Sequence, residues 1–336
     1  MMETPVEKEC YRALAEHLDH LPGGFAPSET GADQRLLEKL FTPEEAELAT
    51  RLTLDQEEAR VIADRAGIPL EEAEQRLREM ARKGLIFSQV NNLNEGLLQA
   101  LADYSDTRRP QPRAPVTRQI RTIPVGQSIK PHLEALPYEQ VDMLVEAQDT
   151  FAVAPCICRR RAKIEGRGCD APEESCLMFG DFADYYLRAG RGRAIDRTEV
   201  KEILVRADSA NLVLQPSNSR DVAFICCCCG CCCGVLGYLQ RQPKQSKAVS
   251  SSFIAALEPE RCQGCWTCLD RCQMRALCED GERVGLDPDR CIGCGLRVST
   301  CPSEALRLVR RPGSKTIQLP ADFGAALRAI GRNQAH

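Results

Sequence analysis

Residues Leu257–Leu277 and Leu286–Leu306 are two copies of one motif set 29 residues apart. Leu257-Glu258-Pro259-Glu260-Arg261-Cys262 falls on Leu286-Asp287-Pro288-Asp289-Arg290-Cys291. Cys265 then falls on Cys294, Cys272 on Cys301, and Ala276-Leu277 on Ala305-Leu306. One thiol is missing from this register, because Cys268 falls on Arg297. The repeat therefore encodes a duplicated thiolate module with an unequal pair of sites.

The first copy reads C-x2-C-x2-C-x3-C through Cys262, Cys265, Cys268 and Cys272. With the duplication, this resembles the two-cluster bacterial-type ferredoxins, in which the fourth Cys of each motif ligates the other motif's cluster. The resemblance covers about residues 257–310 and implies two ligand sets. Cys262, Cys265, Cys268 and Cys301 would hold one 4Fe-4S cluster. Cys272, Cys291 and Cys294 would hold the second, with Arg297 where the fourth thiolate should stand. A guanidinium stays protonated and offers iron no lone pair. The second site therefore has three outcomes open: a 3Fe-4S cluster, a 4Fe-4S cluster with one iron held otherwise, or no cluster. Cys278, six residues past Cys272, is expected to be a small core residue rather than a rescuing ligand. Gln273 stands where the family has Pro after the fourth Cys, whereas the second copy keeps Pro302. A zinc ribbon made of C-x2-C pairs is the alternative, but it needs neither the third in-line Cys nor the duplication.

Twenty Cys in 336 residues are too many for ordinary core use, and their C-C, C-x-C and C-x2-C spacings are not those of a disulfide framework. They read as metal ligands in a reducing compartment. The start has no apolar segment of the secretory kind, and no apolar run reaches the roughly 18 residues of a membrane span. A cytoplasmic protein is expected.

Charge is uneven. Residues 1–103 carry 11 Lys/Arg against 21 Asp/Glu, a net of −10, while residues 226–336 carry 15 against 10, a net of +5. Positive residues such as Arg261, Arg271, Arg290 and Arg297 are candidates to offset anionic thiolate centres.

The acidic third reads as successive helices. Tyr11, Leu14 and Leu18 make an apolar stripe on a helix over about 6–21, and Thr42-Pro43-Glu44-Glu45 has the form of a capping box opening a second. Asp55 and Glu58 open another that Gly67 closes, and Leu70, Ala73, Leu77 and Met80 stripe the next, closed by Gly84. Leu85–Val90 then reads as a strand. This order resembles a winged helix-turn-helix domain. Its charge argues against nucleic acid, since DNA affinity comes mainly from phosphate neutralisation. A docking or dimerisation role fits better.

A Pro- and Arg-rich stretch about Thr107–Pro115 has the composition of a linker. A helix over about 137–148 leads into the apolar strand Phe151–Ala154, which delivers Cys156-Ile157-Cys158-Arg159-Arg160-Arg161. Cys169 and Cys176 follow, then helices near 179–189 and 198–207. A strand at Val222–Ile225 feeds Cys226-Cys227-Cys228-Cys229-Gly230-Cys231-Cys232-Cys233. Eleven thiols here make a further metal centre the economical reading, iron-sulfur or zinc, with candidate ligands Cys156, Cys158, Cys169, Cys176, Cys226, Cys228, Cys229, Cys231, Cys232 and Cys233. Neighbouring Cys point different ways, so the tract cannot serve one mononuclear site. Either some are structural or the centre is multinuclear.

The expected fold is α+β and multidomain: a winged-helix-like domain (1–103), a linker (104–135), a cysteine-rich α/β middle (136–250), a ferredoxin-like dicluster domain (251–312) and a tail (313–336) with a short helix. This order resembles a group of iron-sulfur proteins of anaerobic bacteria, in which Asn stands between the first Cys pair of the tract where this chain has Cys227. The family implies a cofactor class more than a reaction. No Walker loop, nucleophile elbow or dinucleotide fingerprint is present, and the four His are scattered, as surface residues would be. Electron transfer between redox protein partners is the expected function. The alternatives are a redox-sensing transcription regulator or a subunit of a larger oxidoreductase.

Overall fold

The computed structural model describes residues 5–21, 24–53, 57–83, 85–86, 95–107, 119–130, 133, 135–311 and 318–334. The chain divides into two units, residues 1–117 with 324–336, and residues 118–323. Helices and antiparallel sheets are both present, so the α+β class holds.

The first unit contains α1 (Pro5–His20), α2 (Ala32–Leu40), α3 (Pro43–Ala49), α4 (Ala59–Ala66), α5 (Leu70–Lys83) and α6 (Glu95–Thr107). Thr42 caps α3 as its sequence demands: its hydroxyl accepts from the Glu45 N–H at 3.3 Å while Glu45 Oε2 accepts from the Thr42 N–H at 2.9 Å. The same carboxylate is buried against Lys83 Nζ at 2.7 Å, which ties α3 to α5. Gly67 closes α4 in the left-handed conformation at φ 68°. Leu14, Leu37, Ala46, Leu48, Ile62 and Met80 form the core. Sequence signals did not mark α2, whose N-cap is Gly31 with no capping side chain. They also did not mark α6, which runs into the expected linker. Leu85 and Ile86 are in no strand, and the rest of the strand expected over Leu85–Val90 lies outside the described residues. His17 is half-buried rather than at the surface, and burial lowers its pKa. His132 and His336 lie outside the described residues.

The second unit is built on a five-stranded antiparallel sheet. Its elements run α7 (Val141–Glu146), β1 (Phe151–Pro155), α8 (Ile157–Ile164), β2 (Glu174–Phe179), α9 (Gly180–Arg188), β3 (Arg193–Ala194), α10 (Arg197–Ser209), β4 (Val213–Pro216), β5 (Phe224–Cys228), α11 (Gly234–Gln240) and α12 (Gln245–Ala248). The strand order is β3-β1-β2-β5-β4. Residues 119–130 are not a free linker: Ile120 bridges Ser217, Ile123 bridges Leu214, and the buried Arg121 donates to the carbonyls of Ser219 and Tyr138. One apolar core runs from Leu144, Val153, Leu177 and Ile225 into Ile292 and Leu296 of the repeat.

The repeat contributes β6 (Phe253–Leu257), α13 (Thr267–Asp270), β7 (Leu277–Asp280), β8 (Arg283–Leu286) and β9 (Leu306–Arg310). The strand entering the first copy pairs with the strand leaving the second, Leu257 with Leu306. The strand leaving the first pairs with the strand entering the second, Leu277 with Leu286. Left-handed residues recur at the same offset: Gly264 (φ 65°) and Gly293 (φ 74°), Trp266 (φ 60°) and Gly295 (φ 77°), Arg275 (φ 51°) and Glu304 (φ 50°). Glycine is obligatory at the first pair, since a Cβ would stand 2.5 Å from the Glu282 carbonyl oxygen at Gly264 and 2.1 Å from that of Phe253 at Gly293. The 29-residue period is thus a structural repeat. A final helix, α14 (Phe323–Gln334), follows. Among the described residues no helix is long and apolar enough to cross a membrane.

Candidate metal centres

The crossed strand pairing carries Cys301, from the end of the second copy, to the three early thiols of the first. Cys262, Cys265, Cys268 and Cys301 line one small cavity, partly open to solvent, together with Trp266 and Leu306. Cys268 is buried and Cys265 exposed, so the site sits at the surface with one edge toward water. Burial pushes Cys268 up to about 11. Burial also opposes ionisation of Cys301, but the Leu306 N–H, the Ser303 hydroxyl and the Ala305 N–H outweigh it and lower its pKa. The corresponding contact in the other copy is the Ala276 N–H donating to Cys272 Sγ at 3.1 Å.

Cys272, Cys291 and Cys294 are also brought together, and the space among them is taken by Arg297. Its guanidinium donates to Cys272 Sγ at 3.3 Å and to Cys291 Sγ at 3.4 Å. Arg297 is 4% exposed, and no carboxylate pairs with it among the described residues. Burial works against its charge, yet Cys272, Cys291 and Cys294 raise its pKa overall. A buried cation needs an anionic partner, and here that partner is sulfur. Of the other arginines expected to offset thiolates, Arg271 instead pairs with Asp208, and Arg261 with Glu304 and Glu258. Cys278 is exposed on β7 instead of buried in a core, because its hairpin places that face toward solvent.

The ten candidate thiols of the middle region do not form one site. Sheet parity separates them. Cys226 and Cys228 lie on one face of β5, and Cys176 pairs directly across from Cys226. Cys227 points to the other face, is 1% exposed, and burial pushes its thiol up to about 12. Past the end of β5 the chain turns at Gly230, whose N–H donates to Gln273 Oε1 at 2.6 Å; a Cβ there would stand 2.8 Å from that oxygen. Gln273, where the first copy lacks proline, thus fastens the tract to the repeat.

Around this turn Cys229, Cys231 and Cys232 converge with Cys169, all four sulfurs lying within 4.8 Å of one another. The separations Cys169–Cys229, Cys169–Cys232 and Cys231–Cys232 are 3.8, 3.7 and 3.7 Å. Metal–thiolate bonds of about 2.3 Å in a tetrahedron put sulfurs about 3.8 Å apart, so this group could hold a metal ion. Arg159 Nη1 donates to Cys229 Sγ at 3.5 Å. Burial raises the Cys229 pKa, but that guanidinium brings it below the ordinary thiol value.

Cys156, Cys158, Cys176, Cys226, Cys228 and Cys233 come together separately. Cys156 is the residue before α8 and Cys158 lies in its first turn, while Cys233 precedes α11. Arg159 is fully buried, whereas Arg160 and Arg161 face solvent, the latter paired with Glu165. Of these three successive arginines, the helix phase of α8 turns only the first inward. Ser175, which accepts from Arg159, and Tyr186, which lies beside Cys176 and Cys226, carry no sequence signal of their own.

No protein-family model, no curated protein and no solved structure matches this chain.

Proposed function

We propose that this protein is an iron-sulfur electron carrier of the two-cluster ferredoxin type in its repeat segment, passing single electrons between redox protein partners or subunits of an oxidoreductase. The observation that carries this reading is the delivery of Cys301 into the same cavity as Cys262, Cys265 and Cys268, the ligand crossing that a C-x2-C-x2-C-x3-C duplication implies. A bound cluster supplies one-electron chemistry at a potential anywhere between roughly −700 and +450 mV. The residues supply the rest. N–H groups and the Ser303 hydroxyl favour the Cys301 thiolate, Trp266 and Leu306 limit water, and the exposed Cys265 edge gives a partner a short approach.

The regulator alternative is disfavoured by the acidic first unit. The charges on α5 pair within the helix, Glu72 with Arg76 and Glu74 with Arg78, leaving little for phosphates.

The test is anaerobic reconstitution of the full chain with ferrous iron and sulfide. A broad visible absorption that bleaches with dithionite is expected, and Cys301→Ala should remove a cluster's worth of about four irons. Zinc as the only bound metal, or a wild-type spectrum in Cys301→Ala, would sink the proposal.

A further inference from the structure

The six thiols on the β5 face are arranged unlike the four beside them. Each interacts with two neighbours in a closed circuit, Cys156–Cys158–Cys233–Cys228–Cys226–Cys176 and back to Cys156. All six residues are described, yet no three of their sulfurs lie mutually within 4.8 Å, a condition that among the described residues Cys169, Cys229, Cys231 and Cys232 meet. One tetrahedral ion needs sulfurs about 3.8 Å apart, so the circuit is too open for a mononuclear site. A cluster, which carries its thiolates on separate metal ions, spaces them farther apart.

The surroundings lack partners that such a centre would supply. The Tyr186 hydroxyl is buried beside Cys176 and Cys226 with no hydrogen-bond partner, although Tyr186 is only 2% exposed. A buried hydroxyl left unsatisfied costs about 1–3 kcal/mol, so an acceptor is expected within its reach. Arg159 is 0% exposed and its Nε has no partner. Its other nitrogens donate to Ser175 Oγ, the Cys227 carbonyl and Cys229 Sγ, and no carboxylate pairs with it among the described residues. The thiols whose ionisation would act on it are Cys156, Cys229 and Cys176, drawn from both thiol groups. A cation buried this deeply is tenable only beside fixed negative charge.

We infer that Cys156, Cys158, Cys176, Cys226, Cys228 and Cys233 hold one polynuclear iron-sulfide centre, separate from a single tetrahedral ion at Cys169, Cys229, Cys231 and Cys232, with Arg159 as the shared counter-cation. The choice of iron and sulfide rests on the electron-carrier reading; the separation into two sites does not.

The experiment uses the full chain in a Cys262→Ala/Cys301→Ala background, which removes the cavity site of the repeat, reconstituted anaerobically with ferrous iron and sulfide. Iron and acid-labile sulfide per chain are measured with Cys226→Ser or Cys158→Ser added, and in parallel with Cys169→Ser. The background protein should retain about four or more irons with matching sulfide. Cys226→Ser and Cys158→Ser should remove most of both, whereas Cys169→Ser should remove about one metal ion and no sulfide. Protection from alkylation in the unsubstituted, metal-loaded chain provides a measurement independent of variant folding, and all six thiols should be shielded together. A background protein without labile sulfide, equal losses from Cys169→Ser and Cys226→Ser, or disulfides among the six in the loaded protein would overturn the inference. Absence of any Cys301-dependent spectrum in the otherwise unsubstituted chain would count against the electron carrier alone.

Discussion

The two copies of the repeat differ at one position of their thiol sets, and they have diverged into opposite environments. Around Cys262, Cys265, Cys268 and Cys301 the chain leaves a cavity; around Cys272, Cys291 and Cys294 it leaves a guanidinium. The backbones remain alike, with left-handed residues and strand pairs at the same offset. The fold therefore tolerates the exchange of a ligand for a cation, provided positive charge still faces the sulfurs. On the proposed reading, Arg297 stands in the space that a second cluster would need.

The strongest way to break this comparison is to restore the symmetry. Arg297→Cys should admit a second cluster, raising iron by about four per chain and producing two magnetically interacting reduced centres in electron paramagnetic resonance. If iron content and spectrum do not change, the guanidinium is not what distinguishes the sites. A smaller effect comes from removing the cation without replacing the ligand. Arg297→Ala should destabilise the reconstituted chain by about 3–5 kcal/mol, because thiolates lose their buried partner, whereas Arg297→Met should cost less by filling the volume with apolar atoms. The urea midpoint under anaerobic conditions measures both, and equal losses would mean that the charge alone matters and the filled volume does not. The smallest effect is expected at Arg271, which the offset places on Thr300 and whose Nε donates to the Leu296 carbonyl at 2.8 Å. Arg271→Thr gives up that bond and the largely buried pair with Asp208, a loss of about 1–3 kcal/mol in the same titration, with no change in iron content.

Much of the site was legible because cysteine period survives in sequence whatever the fold. The departure at Arg297 follows from register alone, and the crossing of Cys301 from the resemblance to two-cluster ferredoxins. That Arg297 would turn inward was not legible, since a guanidinium is as readily a solvated surface group. The middle region shows another limit. Ten candidate ligands were identifiable, but their division into four and six depends on strands β2 and β4, which were not anticipated. β2 is a continuous buried run, Ser175 to Phe179, without the alternation that marks a half-exposed strand. Without its register, Cys176 could not be placed opposite Cys226, nor the turn of Cys227 into the core on the other face foreseen. In the first unit, short-range chemistry such as the Thr42–Glu45 box was read correctly, while α2, lacking a side-chain cap, was invisible.

The crossed strand pairing also sets an order of events during biosynthesis. Neither copy of the repeat can close its own thiol set. Cys262, Cys265 and Cys268 leave the ribosome with three ligands and wait for Cys301, whose arrival depends on β9 docking on β6. The circuit that begins at Cys156 likewise remains open until Cys233 has been made. On the proposed reading, a nascent or truncated chain would present partial thiol sets able to capture stray metal or oxidise, so loading with metal would follow synthesis through β9.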